Sequence, residues 1–201
     1  LLDNPLNYGG TCDGQLRPAP DAAHSLLVPF GADNEPAILE WMDHQEDWPG
    51  DRELRADGPT PIVESLRLAR DYLAEVAAQD PDVACRRYSV VVLTDGGESC
   101  FGNAERGPAL RGAAEALRQL ELPNGAVVDV STYVVAFGVS QFSLGLLSEL
   151  ARAGGTALDN NGNLDLRNGA PYTADDQEGL RLAFARVLAD AVPVERCDGE
   201  D

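Results

Sequence analysis

Residues 90–94 form an unbroken run of apolar or β-branched side chains with no polar alternation. Such a run predicts a strand buried on both faces, as in the centre of a parallel sheet with helices on each side. Asp95, Gly96 and Gly97 follow directly, so a carboxylate and a turn stand at the C-terminal end of the strand. Open α/β sheets bind ligands just outside this end. Asp95 is therefore a candidate site residue, with capping of the next turn as an equal alternative.

A strong helix is predicted before this strand. Thr60 is a good N-cap and Pro61 suits the first helical position, and apolar residues then recur at helical spacing. Further helices are predicted at residues 109–120 and 143–153, and a last one from residue 175. The helix at 143–153 stops at a Gly-Gly pair, a common C-terminal signal.

The remaining strands follow from similar patterns. A second buried strand is predicted at residues 127–137 and a short one at residues 25–29, where Pro29 favours an edge position. The loop before the last helix could hold another strand. Alternating helices and strands predict an α/β fold with a doubly wound, mostly parallel sheet and helices on both faces. We assign residues 1–196 to a single domain and residues 197–201 to the start of a following acidic segment.

The charge balance narrows the choice of partners. The chain carries 34 acidic residues against 15 basic ones, all of them Arg, for a net charge of −19. Such a surface repels nucleic acid and anionic membranes, so neither is expected as a partner. No run approaches the roughly 18 apolar residues of a membrane span, so no membrane insertion is expected. The chain begins without Met or a signal peptide, and we interpret it as a segment of a longer polypeptide.

Four cysteines lack the spacing of a zinc site. An even count without metal spacing favours disulfides and hence an exported protein, although buried free thiols in a cytosolic protein remain the alternative. Cys85 and Cys100 stand at opposite ends of the first buried strand, too far apart to bond. Cys12 can reach the end that holds Cys100 if its loop joins a strand missing from this chain to the one at residues 25–29, and Cys197 follows a last helix that should run to the end that holds Cys85. The expected disulfides are therefore Cys12–Cys100 and Cys85–Cys197.

Thr60 and Asp95 are expected at the same edge of the sheet. The helix that follows Thr60 has to run down one face of the sheet to lead into the strand at Tyr88, so it starts where that strand ends. A hydroxyl and a carboxylate that meet there suit a hard cation with oxygen ligands, Mg²⁺ or Ca²⁺, better than zinc.

Several spaced motifs together resemble the von Willebrand factor A domain family. They are Gly-Pro-Thr-Pro at 58–61, Val-Val-Leu-Thr-Asp-Gly at 91–96, Thr-Tyr-Val-Val-Ala-Phe-Gly at 132–138, the segment 147–156, and Ala-Pro-Tyr at 170–172. The resemblance covers roughly residues 26–192 and is closest to bacterial exported members, including the A domain of type IV pilus tip adhesins. Cysteines that flank the central strand also occur in those relatives.

The resemblance implies a metal ion-dependent adhesion site built from three loops. By position, Thr60 would be the ligand of the second loop and Asp95 that of the third, often through a water. The Asp-x-Ser-x-Ser motif of the first loop does not occur in these 201 residues. The family's first strand and first helix would lie before Leu1.

The expected function is that of a metal-dependent adhesion or protein-binding module in an exported bacterial surface or pilus-associated protein. An acidic group of the partner would occupy the open coordination position of the metal. The alternative is a structural A domain with a degenerate metal site. An enzyme is not expected, because the sequence has no nucleophile elbow, metalloprotease helix or phosphate loop. Asp159, Asn161, Asn163 and Asp165 alternate like a calcium loop, but the residues between them break that order and favour a plain turn.

Overall fold

The computed structural model describes Cys12 and residues 26–43 and 59–192 of the 201-residue chain. The helices of these residues are α1 (Glu35–Leu39), α2 (Ile62–Ala78), α3 (Arg106–Arg118), α4 (Gln141–Ala153) and α5 (Gln177–Ala191). The strands are β1 (Tyr88–Thr94), β2 (Leu120–Glu121), β3 (Val127–Val128), β4 (Val130–Phe137) and β5 (Tyr172–Ala174). None of the described helices is long and apolar enough to span a membrane.

β1, β4 and β5 form a three-stranded parallel sheet with β4 in the middle. β1 pairs with β4 along its whole length, from Tyr88 opposite Val130 to Thr94 opposite Ala136. The short β5 lies on the other side of β4, in the loop where a further strand was possible. β4 can take the central place because six of its eight side chains are apolar and only its Ser131 and Phe137 are not buried.

Helices cover both faces of this sheet. On one face α2, α3 and α4 pack against Val130 and Val134 of β4 in the larger apolar cluster. On the other face α5 packs Val187 against Tyr133 and Val135. Alternate residues of β4 therefore point into two separate cores, as the period of a strand requires. The predicted α/β class, with a parallel sheet between helices, is confirmed at this level.

β1 was predicted to lie inside the sheet, whereas the described residues give it a neighbouring strand on one side only. Among the described residues no strand pairs with the edge of β1 that faces away from β4. Its face towards α2 is covered, but on the opposite face the Val91 and Leu93 side chains are 42% and 52% exposed. α5 lies over β4 and β5 and leaves this part of the sheet uncovered. An apolar run shows that a strand can be buried on both sides, but the neighbours that bury it are set by distant parts of the chain.

Two other strand predictions need correction. No strand forms at residues 26–29, which follow a bent path, while Ser25 lies outside the described residues. The predicted strand 127–137 is split at Asp129, since β3 pairs with β2 in an antiparallel hairpin and only β4 joins the parallel sheet. The hairpin turn has Gly125 at φ +80°, a conformation that glycine adopts without strain. This hairpin was not predicted.

The helices differ from the prediction mainly at their first residues. α3 begins at Arg106 and α4 at Gln141, two to three residues before the predicted starts. The Ser140 hydroxyl accepts a hydrogen bond from the Ser143 N–H (3.2 Å) and so caps α4. α2 begins at Ile62, and Thr60 is not its N-cap. The capping role predicted for Thr60 is therefore wrong.

Candidate functional site

Thr60 and Asp95 both lie at the carboxyl end of β1. Thr60 lies just before α2, and Asp95 follows the last residue of β1. A Cβ atom added to Gly96 would lie 3.5 Å from the Thr60 hydroxyl oxygen, so this hydroxyl contacts the turn that carries Asp95. We call this region, formed by Thr60 and residues 95–99, the Thr60–Asp95 edge.

Backbone contacts hold the two segments of this edge together. The Thr60 N–H donates to the Ser99 hydroxyl oxygen (2.6 Å), and the Ser99 N–H donates to the Thr60 carbonyl oxygen (3.2 Å). The start of α2 and the loop after β1 are therefore joined on both sides of Thr60. This reciprocal pair fixes the start of α2 against the loop that follows β1.

The α2 N-terminus is capped by Glu98, which the sequence analysis missed. Glu98 is 1% exposed, and its two carboxylate oxygens accept from the Val63 N–H (2.8 Å) and the Cys100 N–H (2.6 Å). A carboxylate can be buried here because it is hydrogen-bonded and faces the positive end of a helix. The contact joins residues 35 positions apart, so no local sequence pattern predicts it.

With Glu98 in the capping position, the Thr60 hydroxyl is left without that role. Within the part of the chain that the structure describes, neither this hydroxyl nor the exposed Asp95 carboxylate has a hydrogen bond or ion pair. The turn that follows β1 is held by other groups. The Thr94 hydroxyl donates to the Gly96 carbonyl oxygen and accepts from the Gly96 N–H. The same edge of the sheet thus carries two oxygen-bearing side chains that accept no hydrogen bond from the described residues.

A third loop brings further hydroxyl groups to the same edge. A Cβ atom added to Gly97 would lie 3.1 Å from the Ser143 hydroxyl oxygen at the start of α4. The Ser143 and Ser140 hydroxyl oxygens are 3.1 Å apart. The sequence analysis did not single out these serines, although Ser140 follows Gly138 at the end of a predicted strand, where a site residue is expected.

The side chains at this edge are of the kind that binds a hard cation, but they are too few to complete its coordination. Carboxylate and hydroxyl oxygens are ligands that Mg²⁺ and Ca²⁺ accept, and these ions take about six or more of them. Across residues 26–43 and 59–192 no group of three or more His, Cys, Asp or Glu side chains is arranged to hold a metal ion. The edge therefore offers part of a coordination shell, with Asp95 as its one exposed carboxylate.

A disulfide pair anchors the loop that carries Asp95 and Glu98. Cys12 and Cys100 lie at disulfide distance with their Cα atoms 5.2 Å apart, and they are the pair that the topology predicted. Cys85 carries a disulfide as well, and Cys197, its predicted partner, lies outside the described residues. The pairing of Cys85 with Cys197 therefore stays a prediction.

The loop that resembles a calcium site uses its carboxylates internally. Asp159 accepts from the Asn161 N–H (2.8 Å) and the Asn163 N–H (2.9 Å), and these backbone hydrogen bonds lower its pKa. Asp165 accepts in the same way from the Arg167 N–H (2.9 Å). These are the bonds of Asx turns, so the geometry agrees with the plain turn that was favoured.

Comparison of the chain with protein-family models, curated proteins and solved structures finds no match.

Proposed function

We propose that the chain is a von Willebrand factor A-type domain that binds a protein or surface ligand through Mg²⁺ or Ca²⁺ at the Thr60–Asp95 edge. One observation carries the proposal. The Thr60 hydroxyl lies against the turn that begins with Asp95 at the carboxyl end of a parallel strand, and neither this hydroxyl nor the Asp95 carboxylate is bonded within the described part of the protein. Ligand sites of open α/β sheets lie at such ends.

The division of roles at this edge supports the proposal. Glu98, Ser99 and the Thr60 backbone supply the bonds that hold α2 to the loop, and the Thr60 hydroxyl and the Asp95 carboxylate take no part in them. A bound cation would supply positive charge at a strongly acidic surface and bind an acidic group of the partner. Thr60 and Asp95 would hold this cation with two of the roughly six oxygens it takes, so other ligands must come from the partner, water or another segment.

The same proposal places the protein outside the cytoplasm of a bacterium, in a surface or pilus-associated assembly. Its support is the Cys12–Cys100 pair, since disulfides persist in oxidising compartments and are rare in the cytosol. The doubly wound order of strands belongs to the same proposal. It requires further strands beside β1, on the side that no described strand occupies.

The first prediction concerns the metal itself. In calorimetric titrations with MgCl₂ and CaCl₂, we expect the 201-residue chain to bind weakly, because it offers few ligands. Asp95→Asn removes the charge but keeps the shape of the side chain, and it should weaken binding at least about tenfold, as should Thr60→Ala. Glu75→Gln is the matched control, because Glu75 is an exposed acid on α2 far from the edge. Equal affinity in Asp95→Asn and wild type would refute the proposed site.

The second candidate is a structural A domain with a degenerate site. It is favoured by the single exposed carboxylate at the edge and by the absence of an Asp-x-Ser-x-Ser motif from the 201 residues. It predicts no saturable binding of either cation at millimolar concentration. Unfolding temperatures of wild type and Asp95→Asn should then be equal with EDTA and with Ca²⁺, whereas a bound metal raises the wild-type value alone.

A further inference from the structure

Ser143 carries a hydroxyl group beside the Thr60–Asp95 edge to which the proposed function gives no role. It lies in the first turn of α4, and α4 follows the end of β4 as the 95–99 loop follows the end of β1. Because β1 and β4 are parallel, both ends lie at the same edge of the sheet. The proposed cation takes about six oxygen ligands, of which Thr60 and Asp95 would supply two. Ser143 is therefore a candidate for a third.

The Ser143 side chain packs against the turn that begins with Asp95. A Cβ atom added to Gly97 would lie 3.1 Å from the Ser143 hydroxyl oxygen and 3.3 Å from the Ser143 Cβ atom. A Cβ atom added to Gly96 would lie 3.5 Å from the Thr60 hydroxyl oxygen. The two hydroxyl groups thus come from the starts of two different helices and contact consecutive residues of one turn, whose Cα atoms are about 3.8 Å apart.

The close approach of Ser143 explains why residue 97 is a glycine. Neither Gly96 nor Gly97 has a positive φ, so a residue with a side chain could adopt either backbone conformation. A Cβ atom at position 97, however, would lie closer to the Ser143 hydroxyl oxygen than an ordinary van der Waals contact. Glycine at this position therefore leaves the side of the hydroxyl that faces the turn uncrowded.

The Ser143 hydroxyl is oriented by Ser140 and keeps a free lone pair. The Ser140 hydroxyl oxygen accepts from the Ser143 N–H (3.2 Å) and lies 3.1 Å from the Ser143 hydroxyl oxygen. A hydroxyl oxygen has two lone pairs, and a single bond to another hydroxyl occupies at most one of them. Among the described residues no other group is hydrogen-bonded to the Ser143 hydroxyl.

This arrangement differs from that of a serine with a purely helical role. Within α4, the Ser148 hydroxyl donates to the Leu144 carbonyl oxygen one turn earlier (2.7 Å), as serines inside helices commonly do. Ser143 makes no such bond to the preceding turn, and the capping of α4 falls to Ser140. The Ser143 hydroxyl is therefore available to a ligand at the turn after β1.

We propose that the Ser143 hydroxyl oxygen is a third protein ligand of the cation at the Thr60–Asp95 edge. This inference rests on the proposed function and extends its site to the loop after β4. Two hydroxyl oxygens and one carboxylate are ligands that Mg²⁺ and Ca²⁺ accept, and they bring a single negative charge to the ion. Water and the acidic group of the partner fill the other positions.

A gain of affinity tests this role most sharply. Ser143→Asp places a charged carboxylate at the proposed ligand position, and in calorimetric titrations with CaCl₂ we expect the 201-residue chain to bind at least about tenfold more tightly. Gln141→Asp adds the same charge at an exposed position in the same turn of α4 and should improve affinity by no more than about twofold. Equal gains in the two variants would show a general effect of charge and overturn the role of Ser143.

A loss of affinity tests it independently, should the aspartate variant fail to fold. Ser143→Ala should weaken the binding of Mg²⁺ and Ca²⁺ by about three- to tenfold, because one ligand is lost. Gln141→Ala, which shortens an exposed side chain two residues away, should bind as wild type does. Circular dichroism checks that each variant is folded. Wild-type affinity in Ser143→Ala would overturn the inference.

Asp95→Asn separates a failure of this inference from a failure of the proposed function. If Asp95→Asn binds the cation more weakly while both Ser143 variants bind as wild type does, Ser143 is not a ligand and the proposed function stands. If Asp95→Asn binds as tightly as wild type, the proposed site is wrong, and the role of Ser143 is overturned with it.

Discussion

Glu98 shows how one buried side chain can replace an expected local cap. The two carboxylate oxygens bind backbone N–H groups of Val63 and Cys100, so the residue joins the start of α2 to the loop after β1. The hydroxyl of Thr60, the residue expected to cap α2, therefore does not serve as the helix cap. The charge and the hydrogen-bonding capacity of Glu98 are both satisfied at a helix N-terminus.

We expect Glu98→Ala to lower the free energy of unfolding by about 2–4 kcal/mol, because it leaves the buried Val63 N–H and the partly buried Cys100 N–H unpaired. Glu105→Ala is the matched control, since Glu105 precedes α3 but makes no side-chain cap bond there. It should change stability by no more than about 0.5 kcal/mol. Urea unfolding followed by circular dichroism measures both, and equal effects would contradict the role of Glu98.

At the scale of elements, the packing of α4 on β4 depends on Gly154. A Cβ atom at this position would lie 2.6 Å from the Thr132 carbonyl oxygen and 2.7 Å from the Thr132 Cβ atom. The Thr132 N–H in turn donates to the Gly154 carbonyl oxygen (3.0 Å). The end of the helix therefore approaches the strand more closely than any residue with a side chain allows.

Two glycines near α4 should respond to alanine in opposite directions. Gly154→Ala should lower the free energy of unfolding by about 1–3 kcal/mol, because backbone atoms must move to admit the methyl group. Gly145→Ala should raise it by about 0.5–1 kcal/mol, since Gly145 lies inside the helix with open space around it. Thermal unfolding of the two variants checks this, and a loss of stability in both would contradict the packing described.

At the scale of the whole molecule, two tyrosines tie strands to distant elements. The Tyr88 hydroxyl at the start of β1 donates to Asp80 beyond α2, and the Tyr172 hydroxyl of β5 donates to Asp190 of α5 (2.5 Å). Burial, followed by the hydrogen bond to Asp80, raises the pKa of Tyr88 to about 12. Burial and the bond to Asp190 raise the pKa of Tyr172 as well.

These shifts predict a loss of stability at alkaline pH. An unfolded tyrosine has a pKa of about 10. Because the folded pKa is higher, the stabilising contribution is complete below about pH 10 and is lost as the pH rises towards about 12. Tyr88→Phe should therefore be less stable than wild type at pH 8, and the difference should shrink between pH 10 and pH 12. Urea unfolding across this range measures it, and a constant difference would contradict the assignment.

The sequence by itself was sufficient for the class of the fold and for the position of the candidate site. Helical spacing and the apolar run at 90–94 are local signals, and they predicted α2, α4 and β1 to within a few residues. Thr60 was predicted at the same edge of the sheet as Asp95, because a helix that leads into a parallel strand starts where that strand ends. The same topological reasoning paired Cys12 with Cys100.

Only the tertiary structure decided which strand is central and which side chains do structural work. β1 and β4 have similar apolar sequences, but β4 gains two neighbours and β1 only one among the described residues. Glu98 caps a helix that begins 36 residues before it, and Gly154 fits against Thr132 of another element. Periodicity reports how a segment would bury its own side chains, whereas pairing, capping and close approach depend on groups that only the folded chain brings together.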